Sequence, residues 1–181
     1  LSVIVYAHIL NDNNLSNSII WSEFLINTTN NYEESFPLLD KSRENIIKTI
    51  DKFSSNIIIT TGYIGCSIDG HKTTLGRNGS DFTATILAAS LDIKTIEIYS
   101  DVNGVLSADP KKVKNTKLIN QLNYKQISEM CYFGASILHP KTLIPLRDKQ
   151  IDLYIKNTFN STIKGTHIVE NCDSINEIDA V

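Results

Sequence analysis

Apolar and polar positions fall into short blocks along the chain, and each block predicts an element. Residues 2–10 (SVIVYAHIL) are apolar enough for a helix packed on a sheet. IIW at 19–21 reads as a short strand, and 27–36 is polar and turn-prone, ending at Pro37. Asp40 is expected to cap a helix that carries Ile46, Ile47, Ile50 and Phe53 on one stripe. NIIIT (56–60) has the continuous β-branched character of a strand covered on both faces. In 62–76, β-branched residues flank Asp69-Gly70, the pattern of a hairpin. Ser80 is expected to cap a helix from Asp81 to Leu91, apolar at Phe82, Ile86 and Ala89. TIEIY (95–99) predicts another buried strand, 124–133 and 140–148 two helices, the second with Pro140 in its first turn, and IDLYI (151–155) a last strand. Strands alternating with helices imply parallel βαβ units and an α/β sandwich. Ligands in such sheets bind beyond the carboxyl ends of the strands. The segments there are 60–65, 100–104 and 156–158, with the turn 76–80 ahead of a helix as a fourth.

Composition narrows the class. The chain has 181 residues, enough for one domain or a large piece of one. Its formal charge of −3 argues against a nucleic-acid module, although a local loop on an acidic protein can still hold a nucleotide. Three scattered cysteines, Cys66, Cys131 and Cys172, predict a reduced compartment with neither a disulfide framework nor a zinc knuckle. No apolar run approaches the roughly 20 residues of a membrane span. LSVIVYAHIL lacks a basic region and a cleavage site, so no signal peptide is expected; it also lacks a Met, as if the chain were cut from a longer one. The P-loop, G-x-G-x-x-G, G-x-S-x-G and H-R-D patterns are all absent.

Glycine placement points to the chemistry. Of 8 glycines, none precedes Gly62 and most lie in 62–104. In L-G-R-N-G-S-D (75–81), two glycines flank Arg77, and Ser80-Asp81 opens a helix whose free N–H groups and dipole favour an anion. The planar guanidinium suits a carboxylate or a phosphate; the competing reading is a plain capped turn with Arg77 in solvent. S-D-V-N-G-V (100–105) follows a strand, so Asp101 could serve a metal or a ribose, or simply close an Asn-Gly turn. Asp109 and Lys111 follow, either near phosphates or as a solvated charge run. His139, just before Pro140, reads as a capping or packing residue, and His8, His71 and His167 show no metal-ligand spacing.

Taken in order, T-T-G-Y-I-G (60–65), T-T-L-G-R-N-G-S-D (73–81), S-D-V-N-G-V (100–105), D-P (109–110), Y-F-G-A-S-I-L-H-P-K-T (132–142) and I-K-N-T (155–158) resemble the aspartate kinases of the amino-acid kinase family. The resemblance implies a three-layer αβα sandwich with a mainly parallel sheet, of the carbamate-kinase-like type, truncated at its N-terminus. Residues 1–169 would be part of the catalytic domain, and 170–181 a tail leading to a regulatory ACT region. The implied reaction is phosphoryl transfer from Mg2+-ATP to the side-chain carboxylate of L-aspartate, giving 4-phospho-L-aspartate, the first step of lysine, threonine and methionine biosynthesis. The full-length protein would be a cytoplasmic homo-oligomer, in some relatives fused to homoserine dehydrogenase. By the family's pattern Arg77, Ser80 and Tyr63 bind substrate, with Arg77 on the α-carboxylate. Asp81 is the catalytic residue, orienting the substrate amine or a lysine. Ser100, Asp101, Lys111 and Ser136 line the nucleotide site. The family's opening K-F-G-G strand and a substrate-binding Glu ahead of Leu1 are missing, so the fragment alone is expected to be inactive. Leu106 stands where the family has a Tyr, and Ser136 where it has a Lys. Those two replacements leave a second reading open, a non-catalytic domain of the same fold that binds an amino acid or nucleotide in a regulatory role.

Overall fold

The apolar blocks gather into two units in the computed structural model, Leu1–Leu91 and Asp92–Val181, within which residues 1–134 and 138–172 are described. In the first unit the order is α1 (Ser2–Asp12), β1 (Asn17–Ile20), a 3-10 turn (Ser22–Phe24), β2 (Asn27–Thr28), α2 (Leu39–Ile50), β3 (Ile57–Thr60), β4 (Ile64–Ser67), β5 (Lys72–Thr74) and α3 (Gly79–Ser90). β1 runs parallel to β3, with Ile19 beside Ile59, and β2 runs parallel to β4. β4 and β5 form the expected hairpin about Asp69-Gly70, where Gly70 takes φ +83°. Ile20, Leu25, Ile26, Ile46, Leu75, Phe82 and Ile86 make one buried cluster that ties α2 and α3 to the strands. Burying each large aliphatic of that set stabilises the unit by about 1.5–3 kcal/mol.

Several expectations change here. α2 starts at Leu39, so Asp40 lies in its first turn rather than capping it; its charge still favours the positive end of the helix dipole. Ile46 is buried, but Ile47 and Phe53 are 37% and 38% exposed, because Ile47 is turned about 100° from Ile46 and Phe53 lies past the helix end. α3 begins at Gly79, with Asn78 in the left-handed region at φ +56° as its N-cap; Ser80 is inside the first turn and caps nothing. β3 is half-buried throughout rather than covered on both faces, and among the described strands it pairs only with β1.

The second unit contains β6 (Thr95–Ser100), β7 (Gln121–Asn123), α4 (Tyr124–Tyr132), α5 (Pro140–Lys149), β8 (Asp152–Asn157) and β9 (Thr166–Val169). The strand order is β6-β8-β9-β7, with β6/β8 and β7/β9 parallel and β8/β9 antiparallel. β6 is an edge strand whose Thr95, Glu97 and Tyr99 face out, so TIEIY is not a buried strand. The core lies between the sheet and its helices: Leu122, Ile127, Leu146, Ile151, Leu153, Ile155 and Ile168 are almost fully buried. Local chemistry sets the helix starts. Asn123 and Gln126 form a reciprocal capping box on α4. His139 caps α5, its Nδ1 accepting from Lys141 N at 3.3 Å, with Pro140 in the first turn as expected. Parallel pairs outnumber antiparallel ones across the described strands, which bears out the α/β class. Among the described residues no helix is long and apolar enough to cross a membrane.

Candidate active site

In the first unit, the loop leaving the carboxyl end of β3 is packed directly on the first turn of α3. A Cβ on Gly62 would sit 2.9 Å from Ser80 Cα, and one on Gly79 would sit 2.7 Å from Tyr63 Cδ2. Both positions therefore need the bare backbone for close approach. Tyr63, at φ +75°, is clamped at both ends: its N–H donates to Thr83 Oγ1 (3.1 Å), and its carbonyl accepts from Leu75 N (2.9 Å). Thr83 Oγ1 donates in turn to Gly79 O at 2.9 Å, so one hydroxyl joins the loop to the helix. The turn closes with Gly79 N to Gly76 O (3.0 Å), Gly76 taking φ +68° with the Glu34 side chain against it. This brings Tyr63, Arg77, Ser80 and Asp81 onto one small ridge. Arg77 and Ser80 are exposed, and Arg77 makes no ion pair with a described residue. Asp81 is half-buried and accepts from Asn78 Nδ2 at 3.2 Å, which fixes its carboxylate within the turn. The turn thus presents an exposed guanidinium beside the N–H groups of a helix start, a combination suited to a small carboxylate.

The second unit supplies a loop at the carboxyl end of β6. Ser100 Oγ accepts from Val102 N (3.2 Å), leaving Asp101 exposed at the tip. The loop is pinned at its far end by Thr166, whose Oγ1 accepts from Val105 N (2.8 Å) and donates to Ile119 O (2.6 Å). Gly104, at φ +128°, lies so close to Thr166 that a Cβ would stand 2.6 Å from that hydroxyl. Lys111 belongs to a separate exposed turn, its N–H donating to Asp109 Oδ1 at 2.9 Å, and no hydrogen bond joins it to Ser100 or Asp101. Ser136 lies outside the described residues. A cleft of about 310 Å3 adjoins the ends of β6 and β8, walled by Tyr99, Tyr154, Lys156 and Lys164 among others. On that face the Lys156 ammonium beside Glu97 holds the Glu97 carboxyl below its ordinary value, and Glu97 raises Lys156. Burial pushes the Cys131 thiol up, which makes it a poor nucleophile. Among the described residues no cluster of three His, Cys, Asp or Glu could hold a metal. Sequence reasoning missed Thr83 and Thr166; each is a short polar residue whose role depends on a partner far along the chain.

Residues 1–157 match the amino acid kinase family, and the chain belongs to it. It is 40% identical over 174 residues to the bifunctional aspartokinase/homoserine dehydrogenase of Buchnera aphidicola, covering 95% of this chain and 21% of that protein. It is 39% identical over 120 residues to aspartokinase 2 of Arabidopsis thaliana, covering 64% of this chain and 21% of the relative. The chain therefore spans about a fifth of these curated relatives. Its fold is similar to that of E. coli aspartokinase III in complex with aspartate and ADP, with a TM-score of 0.91 and 28% identity over 96% of this chain and 39% of that one. The aspartate kinase of Clostridium acetobutylicum follows at a TM-score of 0.78, with 31% identity over 96% of this chain and 37% of that one.

Proposed function

We propose that the protein carrying this chain is an aspartate kinase, and that these residues are a part of its catalytic domain. The observation that carries the reading is Arg77, which makes no ion pair with a described residue and sits in a glycine-bordered turn packed on the loop at the carboxyl end of β3. Arg77 grips the α-carboxylate of L-aspartate through its two-pronged guanidinium. Tyr63 walls the pocket, Ser80 borders it, and Asp81 orients the amine or a catalytic lysine. The substrate's side-chain carboxylate oxygen then attacks the γ-phosphorus of ATP; that P–O bond forms as the bond to the ADP oxygen breaks, and ADP leaves. Such a transfer needs alignment and charge neutralisation more than covalent help. Ser100 and Asp101 line the nucleotide site, with Lys111 and Ser136 contributing to it. Mg2+ neutralises charge on the phosphates when bound. It ordinarily takes one or two carboxylates plus phosphate oxygens, and the exposed Asp101 fits that demand without a ready-made cage.

Residues 1–169 form the catalytic part in this reading, and 170–181 lead to a regulatory region. The pathway is that of lysine, threonine and methionine, the whole protein is a homo-oligomer, and it works in the cytoplasm. Three scattered cysteines with no C-x-x-C, Cys66, Cys131 and Cys172, support a reducing compartment. The test is ADP release by the complete protein from Mg2+-ATP. Release that requires L-aspartate supports the reading. Binding of aspartate or ADP without any aspartate-dependent release would instead favour the regulatory domain.

A further inference from the structure

We propose that Asn157 is a positioning residue for the nucleotide-binding loop 100–104, an inference that rests on the kinase reading above. β6 and β8 end in register, Ser100 opposite Asn157, and the last rung is Thr158 N donating to Ser100 O at 2.8 Å. Beyond that rung the two chains diverge, and the Asn157 side chain bridges them. Its Nδ2 donates to Asn103 Oδ1 (2.7 Å) and to Asp101 O (3.3 Å), while its Oδ1 accepts from Phe159 N (2.8 Å). The amide's orientation follows from its partners, since a backbone N–H can only donate and a carbonyl can only accept. Both donors and an acceptor are therefore in use, a pattern that neither Asp, with no donor, nor the longer Gln reproduces. The loop is held at its far end by Thr166. Asn157 is the matching tie at its near end, and it acts on the backbone of Asp101 itself. Through these bonds it fixes where Ser100 and Asp101 stand.

Two variants of the complete protein test this. Asn157→Asp keeps the acceptor for Phe159 N but loses both donations to the loop. Asn103→Ala removes the side-chain acceptor without adding charge. Losing one or two such bonds should raise the KM for ATP by about tenfold in each. The KM for aspartate should stay unchanged, amide exchange in 101–105 should speed up, and the double variant should be no worse than Asn157→Asp alone, since that variant already loses both donations. A purely structural role would instead lower the melting temperature with no shift of one KM against the other. Wild-type exchange rates in 101–105 together with an unchanged ATP KM in both variants would overturn the proposal. If the wild type released no ADP with aspartate while exchange still rose in the variants, the kinase reading would fail and the tie would stand.

Discussion

Replacing Gly79 by alanine tests the contact that assembles the ridge. The new Cβ would stand 2.7 Å from Tyr63 Cδ2, 3.1 Å from Leu75 Cβ and 3.2 Å from Tyr63 Cα. Carbon atoms in comfortable contact are about 3.5–4.0 Å apart, so the tyrosine ring must retreat by about 1 Å. Its backbone cannot follow, because Thr83 holds its N–H and Leu75 its carbonyl. Leu75 is fully buried and has nowhere to go. Tyr63 as a residue is 45% exposed, so its ring can only swing outwards and open the pocket wall. Overpacking of this kind costs about 1–3 kcal/mol, and the better helix preference of alanine returns at most about 1 kcal/mol. The net expectation is a loss of about 1–2 kcal/mol, read as a lower urea midpoint at constant slope, with a raised KM for aspartate. An unchanged midpoint together with an unchanged aspartate KM would refute the packing argument.

Two further variants probe the second unit. In Gly165→Ala the Cβ would lie 2.0 Å from Ile155 O at a backbone angle of φ +80°, so a loss above about 3 kcal/mol is expected in chemical denaturation. Tyr124 is buried and donates its hydroxyl to Ile151 O, so Tyr124→Phe should cost about 1 kcal/mol at neutral pH. Burial also pushes the Tyr124 hydroxyl well above the ordinary tyrosine value of 10.0, with Asp152 and Glu170 adding to the shift. The folded state then keeps a proton that the unfolded state releases, so its stabilising contribution is complete below pH 10 and is lost as pH rises further. Stability profiles of wild type and Tyr124→Phe should therefore converge above that pH, and parallel profiles would contradict the assignment.

Much of this was legible in the residues, for physical reasons that differ by element. The hairpin about Asp69-Gly70 was readable because a two-stranded turn is a local problem, solved by glycine at φ +83°. Pro140 and His139 likewise announced α5 through local chemistry. β7 and β9 escaped notice, since Gln121–Asn123 and Thr166–Val169 are too short to show a period and exist only by pairing with each other and with β8. NIIIT and TIEIY are less buried than their composition suggests: apolar composition reports what a strand could bury, whereas β6 lies at a sheet edge. On the ridge, Arg77 and its flanking glycines stood out in sequence. The clamp by Thr83 did not, because its hydroxyl is linked to Tyr63 twenty residues away.

The most direct measurement is the steady-state KM for aspartate and for ATP in the complete protein carrying Arg77→Lys. Lysine keeps the charge and loses the fork, so a carboxylate gripped by two parallel bonds should bind roughly 10–100-fold more weakly while the ATP value stays put. An aspartate KM equal to wild type, or an equal rise in both constants, would show that this guanidinium does not hold the substrate.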